Sequence, residues 1–263
     1  RSEHEVYWDP IRLEIDRNGL ESWNAVVHLA GENIASGRWT SARKKRIRDS
    51  RVLGTGLLSD ALAGLTRGPY TLVCASAVGF YGNNRGDEVL SEESPRGEGF
   101  LAAVCVAWEA AAQPAQQAGI RVVQPRIGVV LSPRGGALKK MLLPFKLGLG
   151  GRLGSGKQWM SWISLPDMVG ILMRALKDDN MSGAYNAVSP NPITNAEFTK
   201  ALGRVLRRPT RLPAPEFALR LMLGREMAEE LLLASVRAEP RRLLAHDHEF
   251  QHQDIETALR AVI

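Results

Sequence analysis

Cysteine is nearly absent. Only Cys74 and Cys105 occur among 263 residues, both in apolar surroundings. A disulfide framework is excluded, and a reducing cytoplasm is the expected setting. Long apolar runs are also missing: no uncharged stretch reaches the ~18 residues of a membrane span. The opening Arg1-Ser2-Glu3-His4-Glu5 is polar and does not read as a signal peptide. No internal repeat or low-complexity tract occurs. Hydrophobic residues make up 44% of the chain and charged ones 24%, which excludes disorder, collagen and coiled coil. The length suits one large domain or a domain with a smaller lobe.

The net charge is +6, mild for this length. It suits an anionic ligand such as a phosphorylated cofactor and does not establish nucleic-acid binding. The densest basic run spans residues 43–51. A solvated helix face, an anion-facing helix and a nucleic-acid patch all fit it. No aromatic residue interleaves it, which weakens the last.

The pattern alternates strand and helix, predicting an α/β fold with a mostly parallel sheet. Apolar runs at 25–30, 70–75 and 121–131 read as strands, the last interrupted by Pro125. Residues 41–63 and 100–118 read as helices, with Pro114 kinking or ending the second. Three strands separated by two helices form a right-handed parallel array. Residues 132–166 hold ten glycines or prolines and read as a flexible connection. A helix is expected over 166–176 and a strand over 184–188. Thr194-Asn195-Ala196-Glu197 fits a capping box for a helix to about Leu206. The tail from Pro215 reads as helical. Ligands of such a sheet bind at the carboxyl ends of its strands, here Leu29-Ala30-Gly31, Ser76-Ala77 and Gly128-Val129-Val130.

Several motifs carry a resemblance. They are His28-Leu29-Ala30-Gly31-Glu32-Asn33, Ser76-Ala77-Val78-Gly79-Phe80-Tyr81-Gly82, Trp108-Glu109 and Trp162-Ile163 followed by Asp167. Arg38-Trp39-Thr40, residues 142–151 and Thr194–Phe198 add to them. In this order they resemble the extended short-chain dehydrogenase/reductases. More narrowly they are similar to the atypical nucleoside-diphosphate-sugar-epimerase-like branch, also called SulA-type.

The resemblance implies a Rossmann-like parallel sheet flanked by helices, a smaller C-terminal substrate lobe, and NADP(H) as cofactor. It implies a dinucleotide-binding domain over 1–131 and the lobe over 132–263, with 184–188 returning to the sheet. Leu29 and Ala30, with Gly31 behind them, line the adenosine-to-pyrophosphate side of the cofactor. Arg51 sits where a charge meets the pyrophosphate, unless it merely forms a surface ion pair with Asp49 or a neighbour, and Val130 approaches the nicotinamide. Ser76 is the expected catalytic hydroxyl.

Two departures stand out. The family's Tyr-x-x-x-Lys is absent: four residues after Tyr7, Tyr70, Tyr81 and Tyr185 come Ile11, Cys74, Arg85 and Ser189. Anchored on Glu109, the expected positions hold Leu101 and Cys105. Tyr81, the nearest phenol to Ser76, is the substitute acid, unless it simply packs beside Phe80. The Gly-rich turn after a first strand is also absent. Roughly 30 further upstream residues carrying that turn are expected, with Arg1 just after the second strand, where an arginine meets a 2′-phosphate.

Other constellations are bland. His246, Asp247, His248, His252 and Asp254 read as solvated, and no metal site is expected. Cys105 reads as structural and Glu92-Glu93 as a solvated turn. The expected activity is an NADP-dependent oxidoreductase or epimerase acting on a carbonyl or sugar-nucleotide-like small molecule. The alternative is a catalytically silent NADP(H)-binding regulatory or interaction protein. Neither a membrane nor a nucleic acid is an expected partner, and a homodimer is compatible with the sequence.

Overall fold

The computed structural model describes residues 5–263. The expectation for Arg1 lies outside them. Four strands lie side by side in the order Gly183–Ala187, Arg121–Ile127, Thr71–Cys74 and Ala25–His28. Ala25–His28 is parallel to Thr71–Cys74, which is parallel to Arg121–Ile127. This is the arrangement that the strand–helix alternation predicts. Among the described residues Ala25–His28 stands at one end of this order, and Val27 and Leu29 are exposed there.

The chain divides into two compact units. Among the described residues one comprises the chain up to 76 with 103–125 and 172–184, the other 77–102, 126–171 and 185–263. The division is not a single cut near residue 131, because the chain passes from one unit to the other several times.

In the first unit, helix Ser41–Ala63 starts on Thr40, whose hydroxyl accepts from the Arg43 N–H. Its inner face buries Ile47, Leu58, Ala61 and Leu62. Leu53, which the spacing places on that face, is exposed. Pro114 acts as expected: one helix spans Phe100–Ala110 and a second Gln113–Gln117, with the proline in its first turn.

In the second unit, strand Val129–Leu131 pairs in parallel with Trp162–Ser164. A core forms around Leu131, Leu142, Trp162, Phe198 and Leu259. Three elements differ from the sequence expectation. The glycine-rich stretch 132–166 contains an 11-residue helix, Gly136–Lys146. Its Leu138, Leu142 and Phe145 are buried, so this apolar spacing outweighs the flanking glycines. The polar strand Asn84–Leu90 pairs with Ser235–Ala238, inside the tail expected to be helical. Finally, the chain stays extended through Pro125 and breaks at Gly128 instead.

The break has a steric cause. A Cβ on Gly128 would lie 2.6 Å from the Ser161 carbonyl oxygen and 2.8 Å from Val188 Cγ1. The bare backbone there lets Gly128 N–H reach Ala187 O at 3.2 Å and Val129 N–H reach Ser161 O at 2.8 Å. Gly128→Ala is therefore expected to destabilise the fold by about 1–3 kcal/mol, as overpacking does. Urea unfolding would read this as a lower midpoint at unchanged slope.

Candidate functional site

The first unit presents a built loop at the carboxyl end of Ala25–His28. Leu29, Ala30 and Gly31 are exposed, and helix Ser41–Ala63 holds the following residues in place. Arg43 is buried; it pairs with the Glu32 carboxylate through Nη1 and donates to Asn33 O through Nη2. Ser50 Oγ accepts from Glu32 N–H at 3.0 Å. Arg51 Nη1 donates to Glu32 O and Ile47 O, both at 3.0 Å. The Arg51 guanidinium also lies 5.0 Å from the centroid of the Trp108 ring. Burial pulls its pKa below the ordinary value, while Cys105 and Glu32 act to raise it.

A Cβ on Gly31 would come within 3.1 Å of the Arg51 guanidinium carbon. The exposed glycine thus leaves a partly desolvated cation within reach of the loop surface. Asp49 is not its partner; that carboxylate pairs with Lys45 and Arg48. Much of the basic run is accordingly tied into the helix and loop.

Ser76 ends the central part of the same unit. It is 2% exposed, and its hydroxyl donates to Glu109 Oε1 at 2.6 Å. The expectation had this hydroxyl turned toward a substrate; it is turned toward a carboxylate. Glu109 is half-buried and shares a helix face with Leu101 and Cys105, one turn beyond the vacant Lys position. Sequence reading used Glu109 only as an anchor. The missed signal was its i+4 spacing from Cys105. Below the pair, Trp108 Nε1 donates to Thr55 Oγ1 at 2.9 Å, and Thr55 lies 3.7 Å from Cys74 Sγ. Burial pushes the Cys74 thiol up to about 11, so it is inert. Cys105 is also a buried free thiol.

The second unit holds the other expected residues. Val130 is half-buried and in register with Ile163. Tyr81 is fully buried. Its hydroxyl lies 2.7 Å from Asn186 Oδ1 and 2.9 Å from Ser91 O, and accepts from Arg126 Nη1 at 3.1 Å. Arg126 stacks 3.4 Å from the Phe80 ring centroid. Burial raises the Tyr81 pKa, against the pull of Arg126. This corrects the substitute-acid assignment: a phenol enclosed and bonded in this way is a core strut.

Glu92 is likewise buried, not solvated. Its Oε1 accepts from Asn186 N–H at 3.0 Å and Arg242 N–H at 3.4 Å, whereas Oε2 has no partner. Glu93 is exposed and pairs with Arg242 at 3.1 Å. The histidines of the tail are separate: His248 meets Phe250 edge-on, and His252 Nδ1 lies 3.1 Å from Ser164 Oγ. Among the described residues no three His, Cys, Asp or Glu side chains converge to hold a metal. Among them, too, no helix is long and apolar enough to cross a membrane.

The profile of the NAD dependent epimerase/dehydratase family matches residues 16–187. The chain belongs to this family. A domain of unknown function, DUF1731, matches residues 214–262. An epimerase family protein of Mycobacterium tuberculosis is 50% identical over 255 residues, covering 97% of this chain and 83% of that protein. The crystal structure of human epimerase family protein SDR39U1 (isoform 2) with NADPH superimposes with a TM-score of 0.88 at 36% identity. It covers 92% of this chain and 82% of that one. The nucleoside-diphosphate sugar epimerase of Corynebacterium glutamicum gives a TM-score of 0.79 at 41% identity, covering 97% and 49%.

Glu92 provides a pH test. Burial raises its pKa, so the folded protein holds that proton more tightly than the unfolded chain. The associated stability is present below the ordinary carboxyl range and is lost as pH rises through the folded-state value. Glu92→Gln keeps an acceptor for both N–H groups. It is expected to raise the melting temperature at pH 8 and to leave it unchanged at pH 4, as read by scanning calorimetry.

Proposed function

We propose that the first unit binds NADP(H) and that the chain is an oxidoreductase or epimerase. Its substrate class is a carbonyl or sugar-nucleotide-like compound. The observation that carries the cofactor reading is the Gly31–Arg51 cradle at the carboxyl end of a parallel strand. A phosphate gains charge-assisted hydrogen bonds from a guanidinium that is already oriented and partly desolvated. Arg51 spends Nη1 on two carbonyls, which fixes the plane of the fork. Leu29 and Ala30 supply the exposed apolar rim. The human relative crystallised with NADPH supports the same cofactor class.

A bound nicotinamide supplies hydride donor and acceptor chemistry. The protein must then remove a proton from a carbinol, or deliver one to a carbonyl, as hydride moves. In this chain the group suited to that work is the Glu109 carboxylate. Ser76 Oγ–H grips its Oε1 and sets its orientation, so Ser76 acts as a positioning residue. This pair replaces the tyrosine and lysine that are absent.

A second reading has its own observation. Ser76 is 2% exposed and Tyr81 fully enclosed, as befits an NADP(H)-binding protein without catalysis. Turnover separates the two. NADPH oxidation should be followed with a panel of carbonyls and sugar nucleotides. Glu109→Gln is expected to abolish any turnover while leaving NADPH affinity within about twofold. Turnover that survives this change removes Glu109 from the mechanism, and no turnover on any substrate favours the silent reading. Calorimetric titration should show tighter binding of NADPH than NADH, with Arg51→Gln weakening NADPH about tenfold, or ~1.4 kcal/mol. Equal affinities for the two cofactors would overturn the preference.

A further inference from the structure

The second unit carries a basic groove that the proposed cofactor site does not explain. Helix Asn195–Leu206 ends on Arg207, which adopts a left-handed conformation at φ 52°. Arg208 N–H then bonds Gly203 O at 2.9 Å, and the chain turns back along the helix. Two glycines permit this return. A Cβ on Gly203 would lie 2.4 Å from Thr210 Cγ2, and one on Gly151 would lie 1.9 Å from Leu212 O. Ala214 is then fastened by its N–H to Arg152 O at 2.9 Å and by Gly154 N–H to its own carbonyl at 2.8 Å.

Between the helix and the returning segment lie two adjoining depressions of about 380 and 230 Å³, which share Lys200 and Thr210. The charged side chains lining them are Arg152, Lys200, Arg204, Arg207, Arg208 and Arg211, with no carboxylate. Arg204 is matched by Glu256 at 2.7 Å. Among the described residues no ion pair engages the other five. The partial negative charge at the helix C-terminus, about half a unit, offsets only a fraction of them. Glu197 on the same helix interacts electrostatically with Lys200, but the arginines still outnumber the carboxylates around them; like charges gathered in this way repel, and a bound anion relieves that repulsion.

We propose that this groove binds a multiply charged phosphate-bearing anion of the pyrophosphate class. Lys200, Arg207, Arg208 and Arg211, all exposed, supply the charge. Every one of these residues belongs to the second unit. The site therefore does not depend on the cofactor reading for Arg51 in the first unit.

The test is calorimetric titration of the full chain with inorganic pyrophosphate at low salt. Inorganic phosphate and a single-stranded oligonucleotide serve as comparators. Pyrophosphate should bind one to one, at least tenfold more tightly than phosphate, and should weaken as salt is added. Lys200→Glu with Arg211→Glu should lower that affinity at least tenfold, whereas Arg51→Gln should leave it unchanged. The proposal is overturned if pyrophosphate does not bind or if the charge reversals leave binding intact. It is also overturned if Arg51→Gln abolishes binding or if the oligonucleotide binds tenfold more tightly than pyrophosphate.

Discussion

Three side chains of one helix, Arg43, Ser50 and Arg51, hold the loop that follows strand Ala25–His28. All three bind backbone or carboxylate groups of Glu32 or Asn33, so the loop's path is set by the helix and not by its own propensity. A parallel strand delivers its carboxyl end to the surface with unpaired backbone. Something must fix that backbone before it can present a surface to a ligand. Here a buried arginine, Arg43, and a half-buried one, Arg51, do so, at the cost of desolvating guanidinium groups that carbonyls and Glu32 then satisfy. The same geometry brings Arg51 to Gly31, so one interaction both shapes the loop and supplies its charge.

The second unit uses buried polarity differently. Arg126, Tyr81, Asn186 and Glu92 form a connected set in which each member fixes the next. One oxygen, Glu92 Oε2, is left over. A connected buried network is demanding in geometry, because a slip at one member strands its neighbours. It accordingly specifies how the 77–102 segment meets the 185–187 strand end.

Much of this was legible where local rules agree. The helix at 41–63 begins at a threonine cap and ends at Gly64, and the capping box at Thr194 forms with both of its bonds. The parallel order of the 25, 71 and 121 strands follows from short apolar runs separated by helices. Legibility failed where tertiary contacts overrule composition. Helix 136–146 sits among glycines and contains Pro144, which mask its apolar spacing, and strand 84–90 is polar and carries no clean period. The loop at 29–33 was legible as the end of a parallel strand, but its fastening was not, since Arg43 and Arg51 reach it across 11 and 19 residues of sequence. Ser76 was legible as a position and its Glu109 partner was not, because 33 residues separate them.

Asp167 shows how an anchor can be indifferent to what it anchors. Its carboxylate receives the backbone N–H of Gln251 at 2.6 Å and of His252 at 3.1 Å, together with the Ser164 hydroxyl at 2.6 Å. Two of those three donors exist whatever side chains occupy positions 251 and 252, proline excepted. The tail is thus moored through features common to almost every amino acid. Position 251 is free to drift in sequence while position 167 is not; at 252 the imidazole adds a contact of its own to Ser164 Oγ. Variation among relatives should therefore concentrate on the moored strand of chain and spare the mooring.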